Sequence, residues 1–524
     1  MLLQSTSKKL RGTSPFAIYT FQSLFFKYIY ASTYAFLGQY LNVEGHQYQS
    51  MNTLLRNAWS MKCFFSFISD SVPICGLRRL PYISIGLCII FLSSCIMFLL
   101  PMPEPYFDSY TEIDSNGNSN CSRDLNVIRN PDAPNSALPY AILFGIAYTC
   151  MAWSDCCIDG LITQKSMLEE ESKRGRFLTA IKIVEKLAAA FFAMFFATFY
   201  NKVDYGGRFC TFGLEFNQIS LVVSVGCIVT LIYTIIFTNE RDIDTADKHV
   251  GFKDNFSSFW EFLQTTHFLK LLAYRMFVSI LFGFSTPAKS KVEIRWVGVE
   301  PLVKGYQSVL INLLSALGMY IFRRFFINSN WRKLIAILTM IEIGLRGGTE
   351  TLALFGVIRN QFLWYADDLV FGLFHMWIFF TSSLIVIEYA PQNLEGTSFA
   401  VMWSVAACSG AIGSAFGNIM FSFFDVVNDE RYIRDSELDR KMVFYTFCID
   451  WFFAFSTIGF VFLLPTQKPM ARKWREEGEK TANKKTAICL LLFVCSGFGF
   501  SLVLSAFTFF EETRCLIIAG GAGC

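Results

Sequence analysis

The chain has 524 residues, of which 53% are apolar and 17% charged, with a net charge of +3. This composition excludes an ordinary soluble domain. The basic residues are scattered rather than gathered into a patch with interleaved aromatics, which excludes nucleic acid as a partner.

Residues 1–14, with Lys8, Lys9 and Arg11, predict a cytoplasmic amino-terminal segment. A helix needs about 20 mostly apolar residues to cross the hydrocarbon core. Such windows recur near 15–37, 52–70, 81–101, 138–160, 178–200 and 217–238, which predicts a six-helix half over 15–238. The first window is of spanning length rather than a short core ending in small residues, so it predicts a retained helix and no cleavable signal. A polar stretch over 239–266 predicts a cytoplasmic central loop. Windows near 267–286, 304–323, 333–357, 365–388, 398–424 and 442–464 then predict a second six-helix half over 267–464. The basic tail, 465–524, holds a thirteenth apolar window at 488–510, which the pattern leaves open as a crossing, a re-entrant hairpin or a segment lying on the lipid. The fold expected is an all-α integral membrane protein of two six-helix halves.

With the amino terminus inside, the inner segments hold about 23 Lys and Arg against about 13 outside, in line with the resistance of these side chains to translocation. The loop 102–137 then lies outside with the triplet Asn120-Cys121-Ser122, which makes Asn120 a glycosylation candidate. A second triplet, Asn255-Phe256-Ser257, falls inside and is expected to stay unmodified. Many of the 16 cysteines sit within apolar runs, such as Cys88, Cys95, Cys489 and Cys495, where thiols behave as small apolar groups. No paired CxxC or HxxxH spacing accompanies the four histidines, so neither a metal nor a cofactor is expected.

Charges inside spans are costly and usually face a bundle interior or a watery cavity. Lys27, Arg56, Lys62, Lys182, Lys186, Lys270, Arg275 and Arg346 sit within or at the edge of spans, with Asp155, Asp159, Glu185, Glu342, Glu350 and Asp450. For Arg56, Asp159 and Lys182 an interfacial anchor fits equally well. In an alternating-access bundle the first, fourth, seventh and tenth spans line the path, and these carry Lys27, Asp155, Arg275 and His375. That mixture suits an anionic heterocycle and a proton. Asp155 and Asp159, spaced i, i+4, share one helix face. The pair reads either as a proton switch or as inner-mouth acids bonded to neighbouring lysines. Glu342, Arg346 and Glu350 form a stripe that reads first as a structural ion ladder.

The segment between the second and third spans runs Ser69-Asp70-Ser71-Val72-Pro73-Ile74-Cys75-Gly76-Leu77-Arg78-Arg79-Leu80-Pro81-Tyr82. With Trp59-Ser60-Met61-Lys62 before it, this stretch resembles the S-D-x-x-P-I-x-G-x-R-R-x-P-Y pattern of the folate/biopterin transporter family of the major facilitator superfamily, and looks closest to its oomycete branch. Asn130-Pro131-Asp132-Ala133-Pro134 before the fourth span, the Asp155/Asp159 pair leading to Arg174-Gly175, and Leu394-Glu395-Gly396-Thr397 at the eleventh span agree with it. The resemblance covers about residues 15–465. It implies the facilitator bundle of two six-helix halves, carriage of pterin- or folate-like anions, and a gating motif of Asp70, Gly76, Arg78 and Arg79 that favours the state closed to the cytoplasm. Physically, Gly76 permits a tight turn, the arginines hold the loop inside, and Asp70 can pair with them or sit near the amino end of the eleventh helix. Two departures bear on the substrate: the largely apolar Met402-Trp403-Ser404-Val405-Ala406-Ala407, and Glu185 flanked by Lys182 and Lys186.

These residues predict a secondary carrier for a small polar or anionic solute, in a plasma membrane or, alternatively, an organelle membrane, with proton coupling open. Lys27, Arg275 and Asp155 would meet the solute and proton, and Trp153 and Trp377 offer rings for stacking. The rivals are a facilitator-fold carrier of an unrelated metabolite and a membrane receptor. No repeated filter sequence indicates a channel, and no nucleophile elbow, phosphate-binding glycine loop or HExxH indicates an enzyme.

Overall fold

The computed structural model describes residues 13–43, 51, 55, 57–113, 119–170, 175–207, 209–238, 240, 251–299, 301–391, 393–424, 429–478, 481–509, 513 and 516. Arg56 and Arg174 lie outside the described residues, and the side chain of His375 is likewise not described.

Among the described residues, thirteen helices carry the architecture. The first six are α1 Ser14–Ser32, continued by the wider turns of Thr33–Tyr40, then α2 Lys62–Ser71, α3 Leu80–Leu99, α4 Ala137–Met167, α5 Arg176–Phe199 and α6 Phe216–Phe237. A short helix, Phe252–Leu263, follows, and then α7 Thr266–Gly283, α8 Pro301–Ile321, α9 Trp331–Leu354, α10 Ala366–Tyr389, α11 Glu395–Ser422, α12 Glu437–Ser456 and, beyond the short basic helix Lys468–Gly478, α13 Lys484–Phe509.

Among the described residues, eight helices are long and apolar enough to cross a membrane, and nine if Thr266–Gly283 and the bent continuation Ala288–Val297 count as one. Two of the windows that fall short, α5 and α9, do so because of their charge. α5 carries Lys182, Glu185 and Lys186, and α9 carries Glu342, Arg346 and Glu350. These charges turn into the bundle rather than toward lipid: Arg346 bonds Glu350 at 3.1 Å and Asp450 of α12 at 2.6 Å, so the stripe on α9 is cross-linked to its neighbour. The lipid-facing sides of α3, α6 and α8 expose Leu92, Val229 and Leu310 instead.

One element departs from the all-α expectation. Between α3 and α4, β1 Phe107–Ile113 pairs antiparallel with β2 Ser119–Ile128. The hairpin is tied to α1 by Arg123, which donates to the backbone oxygen and side chain of Gln39 at 2.9 and 3.0 Å. It is joined to the α5–α6 loop by a disulfide between Cys121 and Cys210. Cys121 is the middle residue of the acceptor triplet, and Asn120 lies in β2 opposite Glu112. Asn255 of the second triplet is buried, its amide donating to the backbone oxygen of Asp70 at 3.3 Å.

The tail is built into the bundle. Arg472 of the basic helix bonds Glu388 of α10 at 3.0 Å, and Trp474 stacks on His267 with ring centres 4.7 Å apart. α13 lies along α11, where Gly497 comes so close that an added Cβ would meet Cys408 and Ile412 at 3.2 Å, and its Ser501 bonds Asn57.

Candidate functional site

A cavity of about 790 Å³ runs between the halves. Its depth is set by α4, whose 31-residue run places Asp155 and Asp159 one turn apart on the face turned to α2. Lys62 of α2 reaches between them: its ammonium bonds Asp155 and stands 3.1 Å from Asp159. Gln22 of α1 donates to Asp155 at 2.6 Å, and the hydroxyl of Tyr19 donates to Asp159. Lys62 and Asp155 are only 1% and 2% exposed, so the attraction is weakly screened and each charge depends on its partners. Beside them Lys182 of α5 bonds Glu185 at 2.8 Å and caps the Tyr19 ring at 4.1 Å, while Lys186 lies 3.4 Å from Glu185. Three lysines therefore face three carboxylates, and a neutral polar wall results.

The opposite wall belongs to α7, α10 and α11 and is of another kind. Phe379, Phe399 and Trp403 present rings, and Ala407, Gly410, Ala411, Ser414 and Asn418 line the groove beyond them. α7 and α11 pack closely enough that a Cβ on Gly283 would meet the oxygen of Gly410 at 2.7 Å, and one on Gly413 would strike the carbonyl of Ile280. Small residues at such a crossing let two membrane helices approach backbone to backbone.

At one end of this cavity, the end that the loop charges predict to be the inner one, the halves are bolted together. Gly76, at φ +75°, makes the turn of the α2–α3 loop that sends Arg78 and Arg79 back toward the bundle. Arg79 is 1% exposed. Its guanidinium donates to Asp70 at 3.2 Å, to Glu395 of α11 at 3.2 Å and to Gln164 of α4 at 2.5 Å. Asp70 in turn accepts from the backbone N–H of Thr397 at 2.9 Å and from its hydroxyl at 2.8 Å, which satisfies a donor in the first turn of α11. Glu240 accepts from the N–H groups of Arg78, Arg79 and Leu80 at 3.0, 2.8 and 3.0 Å and so caps α3 from the far end of the half. Arg78 extends the bolt to Asn393 at 3.0 Å. The motif arginines thus work as buried connectors as well as charges that hold a loop in water. At the start of α5, Gly175 takes φ +90° where an added Cβ would meet Leu384 of α10 at 2.6 Å, so that contact between halves also requires glycine.

The residues expected from sequence fall in different places. Asp155 and Asp159 line the central cavity, and Asp70, Gly76, Arg78 and Arg79 form the inner bolt. Lys27 faces away from the central cavity into a second one, where it donates to Ser308 of α8 at 2.8 Å. Arg275 is absent from the lining as well. It lies 5.0 Å over the ring of Trp403, which does line the cavity, and its Nε has no hydrogen-bond partner. Of the predicted stacking residues, Trp153 packs on Phe65 and Trp377 donates to the backbone oxygen of Gly318, so both are structural. The residues missed were Lys62, Tyr19, Gln22, Lys182 and Glu185 as one cluster. The charge of Lys62 inside a span was the available signal.

A bundle of apolar helices around a polar cavity, closed at one end by contacts between its halves, is a multi-pass α-helical membrane bundle of the major facilitator fold. The structure of the proton:xylose symporter XylE bound to 6-bromo-6-deoxy-D-glucose matches it with a TM-score of 0.55 and 10% identity, over 88% of this chain and 98% of that one. Residues 26–110 match the model of the BT1 family, the folate/biopterin transporter family, which bears out the resemblance across the segment carrying the Ser69–Tyr82 motif. No curated protein sequence matches the chain.

Proposed function

We propose that the protein is a secondary carrier for a small, flat, anionic heterocycle of the pterin or folate class. The observation that carries this reading is the cavity's division into a wall of paired charges around Lys62 and a facing wall of aromatic rings and small residues. A carboxylate or ring oxygen of the solute would draw Lys62 or Lys182 away from its acid, and the flat ring would fit against Phe379 and Trp403. Arg275 would act through Trp403, holding its ring by cation–π attraction. The acid released from Lys62 would then take a proton, with Asp155 in that role and Asp159 steadied by Tyr19. With the inner bolt closed, this conformation corresponds to the outward-facing state. Transport would follow by rocking of the halves about the site. A plasma membrane fits the reading, and His375 on α10 stays a candidate contact.

The test is uptake by the purified chain in sealed liposomes, over labelled pterins and folates with a pH gradient imposed. Accumulation of at least one compound is expected, and Asp155→Asn should retain exchange of solute across the membrane while losing accumulation driven by the gradient. Absence of uptake for the whole panel would remove the solute class. An Asp155→Asn protein that concentrates solute as the parent does would remove the proton role.

A further inference from the structure

Lys27 raises a question that the central cavity does not answer. It opens into a second cavity of about 400 Å³ between α1, α5 and α8, next to the outer α5–α6 loop, which shares no lining residue with the first. Among the described residues no carboxylate pairs with Lys27, and its bond to Ser308 is to a neutral group. One more donor in the lining is left unmade. The side-chain N–H₂ of Asn201, on a residue 7% exposed, has no hydrogen-bond partner, whereas the hydroxyl of Tyr200 is turned to Ser32. Lys304 at the rim is neutralised by Glu293 at 2.7 Å. The cavity therefore holds one cation and one unspent donor. A buried donor left unmade costs about 1–3 kcal/mol, and an unpaired charge costs more. An acceptor with negative charge would relieve both.

The remaining walls decide its shape. Tyr30, Tyr34, Phe196 and Tyr205 bring aromatic surface around the donors, which a bare inorganic ion would not use. The volume lies at the small end of ligand pockets, roughly 300–1,000 Å³.

We propose that this cavity is a second binding site, on the outer side, for a small aromatic carboxylate held by Lys27 and Asn201. It is separate from the transported solute's site. Lys27 belongs to one half and Ser308 to the other, so an occupant braces the halves together where they must part or slide during transport.

Equilibrium dialysis of radiolabelled benzoate against the full chain in lipid nanodiscs tests the site, with acetate and benzyl alcohol as competitors lacking the ring or the charge. Saturable binding is expected, displaced by unlabelled benzoate at concentrations about tenfold below those needed of either competitor. Lys27→Met should weaken binding about tenfold or more, Lys27→Arg should restore most of it, and Asp155→Asn should leave it unchanged. Parent-like binding by Lys27→Met, or acetate competing as well as benzoate, overturns the proposal. Loss of binding in Asp155→Asn places the ligand in the central cavity and also overturns it. Should Lys27→Met not fold, Asn201→Leu decides: a drop of about threefold or more supports the site, and parent-like affinity ends it. Each outcome is independent of whether any pterin is carried.

Discussion

The two walls of the central cavity differ as though they came from different proteins. α1, α2, α4 and α5 contribute Gln22, Lys62, Asp155, Asp159, Lys182 and Glu185 beside the ring of Phe26, whereas α7, α10 and α11 contribute rings, glycines, alanines and uncharged polar groups such as Ser414 and Asn418. Charge on one side and shape on the other separate two tasks that a symmetric duplication would mix. The charged wall can exchange partners, as ion pairs do, while the small-residue wall can only admit or exclude by fit.

The most severe way to break this contrast is to remove the lysine at its centre. Lys62→Met should lower uptake about a hundredfold and destabilise the fold by about 3–5 kcal/mol, because two buried carboxylates lose their common partner. Adding Asp155→Asn should recover much of the melting temperature in a thermal scan and none of the uptake. Normal uptake by Lys62→Met would mean that the charged wall is scaffolding.

The inner bolt holds the two walls in register, and Arg79→Ala removes its connector. Buried Cys156 and Cys157 of α4 should then react about tenfold faster with a permeant maleimide. Arg79→Lys should recover part of the protection, since an ammonium lacks the guanidinium fork. Unchanged labelling in Arg79→Ala would show that the halves are held closed elsewhere.

On the other wall, Gly410→Leu fills open space, for the nearest atom to an added Cβ there is the Ser279 oxygen at 3.9 Å. Uptake should fall several-fold, about as much as filling a pocket by a side chain warrants, with little change in melting. Gly413→Leu, one turn along, should instead fail on stability because its Cβ strikes Ile280. If both variants transport normally, fit on this wall does not matter.

The smallest effect is expected far from both walls. Asp435, in the loop before α12, accepts from Arg359 at 2.6 and 2.9 Å and from Arg440 at 2.8 and 3.0 Å, and these two guanidiniums hold its carboxyl down at about 2. A lowered carboxyl stabilises the fold above its ordinary titration near 3.9, and that contribution is lost as pH falls toward 2. Asp435→Asn should therefore cost about 1–2 kcal/mol at neutral pH, with melting curves of parent and variant converging in strong acid and uptake unchanged.

Much of this was legible in the sequence, for uneven reasons. Spans declare themselves because crossing lipid demands length and apolarity whatever the fold. The inner bolt was legible because Asp70, Gly76 and Arg79 lie within ten positions, and the amino end of α11 was a natural partner for Asp70. The central cluster was half legible: Asp155 and Asp159 announce one helix face, yet Lys62 stands 93 positions away and nothing local says which lysine meets them. Of the charged residues chosen one from each of four helices, Asp155 lines the central cavity, Lys27 lines the second cavity and Arg275 lies over the ring of Trp403. A membrane helix is apolar toward lipid and toward its neighbours alike, so its sequence marks a charge without marking the direction it faces. The Cys121–Cys210 link was hidden for a similar reason, two thiols among many, in loops 89 residues apart.

That link has a consequence for where the molecule can mature. Twelve other described cysteines remain thiols, among them Cys75 in the turn of the inner bolt, while the hairpin side carries the bond. Disulfides persist in oxidising compartments and thiols in reducing ones. The chain therefore suits a membrane that divides an oxidising space from a reducing one, with the hairpin facing the former. A copy inserted upside down would keep Cys121 and Cys210 apart and leave the hairpin untethered, so the cell's own redox boundary can sort correctly oriented copies from inverted ones.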